Sequence, residues 1–117
     1  MGRLTTHVLD TANGCPAANV RVELYRIEVD QRLALGNSVT NRDGRLDAPL
    51  LEGEALQAGV YELVFHVDEY FLARDSGLQQ PMFVQQVVLR FGVADASQHY
   101  HVPLLVSPWS YSTYRGS

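Results

Sequence analysis

Leu4-Thr5-Thr6-His7-Val8-Leu9-Asp10 alternates with a period of two, setting Leu4, Thr6 and Val8 on one side and Thr5, His7 and Leu9 on the other, until Asn13-Gly14 and Pro16 break it. This spacing fits the pleat of a half-buried strand and not the 3.6-residue period of a helix. The pattern recurs from Val20 to Ile27, where Val20, Val22 and Leu24 oppose Arg21, Glu23 and Tyr25. A weaker segment, Leu33 to Thr40, runs into Asn41-Arg42-Asp43-Gly44-Arg45, whose Asp-Gly pair supplies the positive φ of a tight turn. Further strands are expected over Gly59 to Val67, over Met82 to Val93 with Phe83, Val87, Leu89 and Phe91 on one face, over His99 to Ser107 and over Ser110 to Arg115. The one helical candidate has Asp68 as cap, Glu69 to Arg74 as body and Gly77 as stop. At about two turns it needs packing to persist. Seven or eight short strands with one short helix predict an all-β, two-sheet sandwich.

Composition narrows the classes of function. With 117 residues, 46% of them apolar, the chain has enough material for one core and is expected to form a single domain over residues 1–117. The net charge of -4 argues against wrapping nucleic acid. No apolar run approaches the roughly 20 residues that span a bilayer, so no membrane partner is expected. Cys15 is the sole cysteine and has no bridging partner in the chain, which favours a reducing compartment. The opening Met1-Gly2-Arg3-Leu4 enters alternating polarity directly, without the apolar core of a signal peptide, so a cytoplasmic location is expected.

Three histidines are placed where chemistry is feasible. His99 and His101 lie two apart on one strand and share a face, and His7 lies on another strand. Converging imidazoles titrate near neutrality and can move a proton between water and a leaving nitrogen. The plainer reading, packed or solvated histidines, stays open. The His-x-His pair also has metal-ligand spacing, but further ligands would have to come from elsewhere, His7 being one source, and no obligatory metal is expected. Arg45, just past the turn, is either a rigid fork of donors for an oxygen-rich planar ligand or a solvated turn arginine. Tyr111-Ser112-Thr113-Tyr114 keeps strand character near the chain's end and is expected to be buried. It either packs as an edge strand or lines a site, where Tyr114, Arg115 and Ser117 would contribute a phenol, a guanidinium and a hydroxyl. Cys15 lacks an activating neighbour, the serines lack a nucleophile elbow, and the glycines fall singly in turns.

Taken together, Leu4-Thr5-Thr6-His7-Val8-Leu9-Asp10, Thr40-Asn41-Arg42-Asp43-Gly44-Arg45, His99-Tyr100-His101-Val102-Pro103-Leu104-Leu105 and the closing Tyr111-Ser112-Thr113-Tyr114-Arg115-Gly116-Ser117 resemble the transthyretin-like 5-hydroxyisourate hydrolases. The resemblance spans essentially the whole chain. It implies the transthyretin-like sandwich, two four-stranded sheets with a short helix, assembled as a homotetramer (a dimer of dimers) with channels between dimers. The implied substrate is the small molecule 5-hydroxyisourate of urate breakdown, hydrolysed without a cofactor. His7, Arg45, His101 and Ser117 would be catalytic, and Tyr114, Arg115 and Gly116 would bind substrate. His99 matches the first histidine of the family's His-Tyr-His. Transthyretin itself, a hormone carrier, shares the sandwich without this residue set, so a small-molecule carrier without catalysis is the alternative.

Overall fold

A computed structural model describes residues 1–116, and Ser117, expected among the catalytic groups, lies outside the described residues. Among the described residues, nine strands and one α-helix follow in the order β1 (Arg3–Asp10), β2 (Cys15–Pro16), β3 (Arg21–Glu28), β4 (Gln31–Val39), β5 (Leu51–Glu52), β6 (Gly59–Phe65), α1 (Val67–Arg74), β7 (Val87–Val93), β8 (Tyr100–Val106) and β9 (Tyr111–Thr113). One sheet runs β2-β1-β8-β9, with β5 also paired to β1, and the other runs β4-β3-β6-β7. The all-β two-sheet sandwich is as expected from the alternation. β1 pairs with β8 in parallel over seven residue pairs, from Leu4 with Tyr100 to Asp10 with Val106. No local pattern announces that pairing, because the two strands stand at opposite ends of the chain.

Leu4, Thr6 and Val8 of β1 and Val22 and Leu24 of β3 turn inward, where they meet Leu63, Phe65, Leu104 and Val106. Leu4 and Val8 are wholly buried while His7 and Thr5 between them are only partly covered, so the strand presents one face to the core and one outward. Each fully buried leucine or valine contributes about 1.5–3 kcal/mol.

Four expectations need correction. The helix begins at Val67 with His66 before it, so Asp68 sits inside the first turn and is not the cap. Val67, Tyr70 and Phe71 bury the helix against the sandwich, and the Tyr70 hydroxyl donates to buried Asp10 Oδ2 at 2.7 Å. β7 starts at Val87, not Met82. Met82 and Val84 are buried, and an unpaired step between Val84 and Val87 switches the parity, leaving Phe83 82% exposed. β2 and β5 escape notice because two residues cannot show an alternation. The tail is not buried within the chain: all of β9 is exposed, an edge strand on β8.

Candidate active site

The outward face of the β1–β8 pair carries the histidines. Thr5 lies opposite His101 and His7 opposite Pro103 in the parallel register, so the two imidazoles rise from adjacent strands one pleat apart. Two isolated bridges extend this strip sideways, Arg45 beside His7 and Gly116 beside His101. Four neighbouring backbone segments thus place Arg45, His7, His101 and Gly116 in a row.

The turn delivering Arg45 is built locally. Asn41 Oδ1 accepts the N–H groups of Asp43 at 2.9 Å and Arg45 at 3.2 Å, while the Gly44 N–H donates to the Asn41 carbonyl at 2.9 Å. Gly44 has φ 76, and a Cβ there would stand 2.4 Å from the Val8 carbonyl oxygen, so only glycine lets this loop dock on β1. The Val8 N–H donates to the Gly44 carbonyl at 2.8 Å, fixing Arg45 next to His7.

His7 donates its Nε2–H to the Asp43 carbonyl at 2.9 Å. A carbonyl can only accept, so Nδ1 keeps the lone pair in the neutral ring. Burial and the Arg45 charge hold the His7 pKa below the ordinary imidazole value, outweighing the Asp43 carbonyl and carboxylate. Burial, Arg45 and His7 act in the same direction on His101. His101 Nδ1 is hydrogen-bonded to Thr5 Oγ1 at 2.8 Å. Its opposite edge meets the tail: the Gly116 N–H donates to the His101 carbonyl at 2.7 Å, and a Cβ on Gly116 would stand 2.7 Å from His101 Cδ2. Any side chain there would push the imidazole out of place.

A cleft of about 460 Å³ opens over this strip, lined among others by Arg3, Thr5, Arg45, Asp47, His99 and His101. His7 is not part of that lining and reaches the site through its bridge to Arg45 and its charge coupling to His101. His99 is exposed at the rim. Among the described residues no three His, Cys, Asp or Glu side chains are disposed to hold a metal.

Of the residues expected at the site, His7, Arg45, His101 and Gly116 are brought together. Tyr114 and Arg115 are placed differently: with Leu89, Phe91, Tyr100 and Val102 they line a separate hollow of about 230 Å³. The Arg115 guanidinium stacks 4.0 Å from the Tyr100 ring centroid and donates to the His99 carbonyl at 3.0 Å and Gln98 Oε1 at 3.1 Å. These contacts anchor the tail from behind. Sequence reasoning missed Thr5 and Asn41. Thr5 shares the outward face with His7, which was the available signal for it.

A model of the HIUase/Transthyretin family matches residues 4–116. The chain is similar, at 62% identity over all of both chains, to a protein from Ralstonia nicotianae described as 5-hydroxyisourate hydrolase. A Klebsiella pneumoniae structure described as 5-hydroxyisourate hydrolase superposes with a TM-score of 0.81 at 34% identity, covering 100% of each chain. A structure described as (S)-allantoin synthase superposes with a TM-score of 0.93 at 48% identity over 99% of this chain, which spans only 44% of that longer one.

Proposed function

The chain belongs to the HIUase/transthyretin family, and from that premise we propose that it hydrolyses 5-hydroxyisourate to 2-oxo-4-hydroxy-4-carboxy-5-ureidoimidazoline, in urate breakdown, at the row Arg45, His7, His101 and Gly116. The observation that carries this reading is the row itself, His7 and His101 on adjacent strands flanked by Arg45 and Gly116, with Arg45 and His101 lining a cleft and both imidazoles held below their ordinary pKa. Both rings are neutral at pH 7 and one lone pair is available to take a proton from water. Water attacks the ring carbonyl, the C–N bond breaks, and the proton taken from water passes to the departing nitrogen. Arg45 stabilises the developing oxyanion, a contribution of about 3–4 kcal/mol for a well-placed donor elsewhere. These steps draw on side chains alone.

The carry-over of Tyr114 and Arg115 as substrate groups and of Ser117 as a catalytic group rests on the family resemblance, Arg115 with least geometric support, since its guanidinium is already engaged on Tyr100. A homotetramer is supported by the exposed β9 edge and by Tyr111 and Tyr114, each at least half exposed. Free Cys15 fits a reducing compartment, the cytoplasm. The test follows the ultraviolet absorbance of freshly generated 5-hydroxyisourate with and without the protein. Accelerated decay is expected; unaccelerated decay with retained binding would make the protein a carrier and overturn the hydrolase reading.

A further inference from the structure

We propose that Thr5 is a positioning residue for His101, its hydroxyl holding Nδ1 so that Nε2 is the nitrogen that exchanges protons with water and the departing nitrogen. The inference rests on the hydrolase reading and deepens it. Thr5 and His101 are register partners on parallel strands 96 residues apart in sequence, and Oγ1 lies 2.8 Å from Nδ1. The contact is therefore set by the sheet and not by a mobile loop. A hydroxyl is suited to this place because it both donates and accepts. When the ring is neutral and Nε2 carries the lone pair that takes the proton, Nδ1–H donates to Thr5 Oγ1; in the other neutral tautomer the Thr5 O–H donates to Nδ1. When the ring is charged, Nδ1–H donates to Oγ1. The bond survives every protonation state, so the imidazole keeps its orientation while a proton comes and goes. A carboxylate in the same position would hold the imidazolium and oppose release of the proton. Gly116 closes the Cδ2 edge of the ring, so the hydroxyl and the tail grip it from two directions.

Thr5→Val keeps the shape and removes the hydroxyl; Thr5→Ser restores it. With Thr5→Val, kcat is expected to fall about tenfold to a hundredfold, the loss common for outer-shell partners of functional histidines, while KM stays near the wild-type value. Thr5→Ser is expected to recover most of the loss. The ¹⁵N resonance of His101 Nδ1 should move in Thr5→Val and return in Thr5→Ser, since a hydrogen-bonded ring nitrogen differs from a bare one. Wild-type kcat with an unmoved resonance in Thr5→Val overturns the proposal, and so does a loss that Thr5→Ser fails to rescue. If the wild-type protein itself does not accelerate 5-hydroxyisourate decay, the hydrolase reading falls, and the resonance alone decides whether Thr5 holds the ring.

Discussion

The histidines of the two sheets meet opposite surroundings: His66, buried just past the end of β6, and His7 and His101, on the outward face of β1 and β8. At the end of β6, His66 Nε2 lies 2.5 Å from Glu23 Oε1, Glu23 also accepts from the Tyr25 hydroxyl at 2.7 Å, and Arg21 pairs with Glu69 at 2.7 Å while reaching His66 Nδ1 at 3.3 Å. On the other sheet, the hydrogen-bond partners of His7 and His101 are a carbonyl and a hydroxyl, and the Arg45 cation acts on both rings, outweighing the Asp43 carboxylate at His7. A carboxylate partner with an arginine behind it makes a closed ionic network, in which the imidazole ties a strand to a helix. Neutral partners beside a cation leave the imidazole uncharged and able to take a proton. The same residue type sits in an ionic network in one place and among neutral partners beside a cation in the other.

The comparison breaks most sharply at His101. His101→Ala is expected to lower kcat by about 10²–10⁴-fold, the range for a general acid–base group, with the thermal midpoint little changed; near-normal turnover would remove the acid–base role. Next in size, Arg45→Gln should cost about 10²–10³-fold in kcat as an oxyanion donor is lost. The same variant removes a charge that lowers both histidines. In the wild type, their folded pKa values lie below the ordinary 6.5, so the neutral rings and the activity persist as the pH falls past that value, and the acid limb of kcat/KM sits lower. In Arg45→Gln the limb should move to higher pH, and an unmoved limb would contradict the coupling. The sign for stability is the same: the unfolded chain binds protons first, so the contribution of these histidines is full above about pH 6.5 and is lost as the pH falls through the lowered folded values.

A smaller effect is expected from Gly116→Ala, whose methyl would have to stand 2.7 Å from His101 Cδ2. Displacing the ring by a fraction of an ångström should cost about tenfold in kcat, and a crystal structure of the variant with an unmoved ring would refute the clash. The smallest change in turnover belongs to the other sheet. His66→Ala should leave kcat unchanged and lower stability by about 1–3 kcal/mol, the range for stranding a hydrogen-bonded partner, read by chemical denaturation. Loss of activity without loss of stability there would erase the distinction between the two faces.

Much of this was legible in the chain itself. The parity of β1 was correct residue by residue, because alternation is imposed by each strand's own pleat, and Asp43-Gly44 marked the turn that carries Arg45. Phe83 was misplaced because parity survives only while pairing is continuous, and the step after Val84 breaks it. The substrate-binding expectation for Arg115 came from the family resemblance, while its stacking on Tyr100 depends on how the tail crosses β8 and is written in no local pattern.

Local pattern therefore determined the strands, the face on which each histidine emerges, and the residues able to do chemistry. Only the folded molecule decided that Thr5 meets His101, that Gly116 closes on the same ring and that Arg115 turns to the opposite hollow. The physical reason is register: which residue of β1 lies beside which residue of β8 is set by hydrogen bonding and core packing between segments nearly a hundred residues apart, and no periodicity within either segment encodes it.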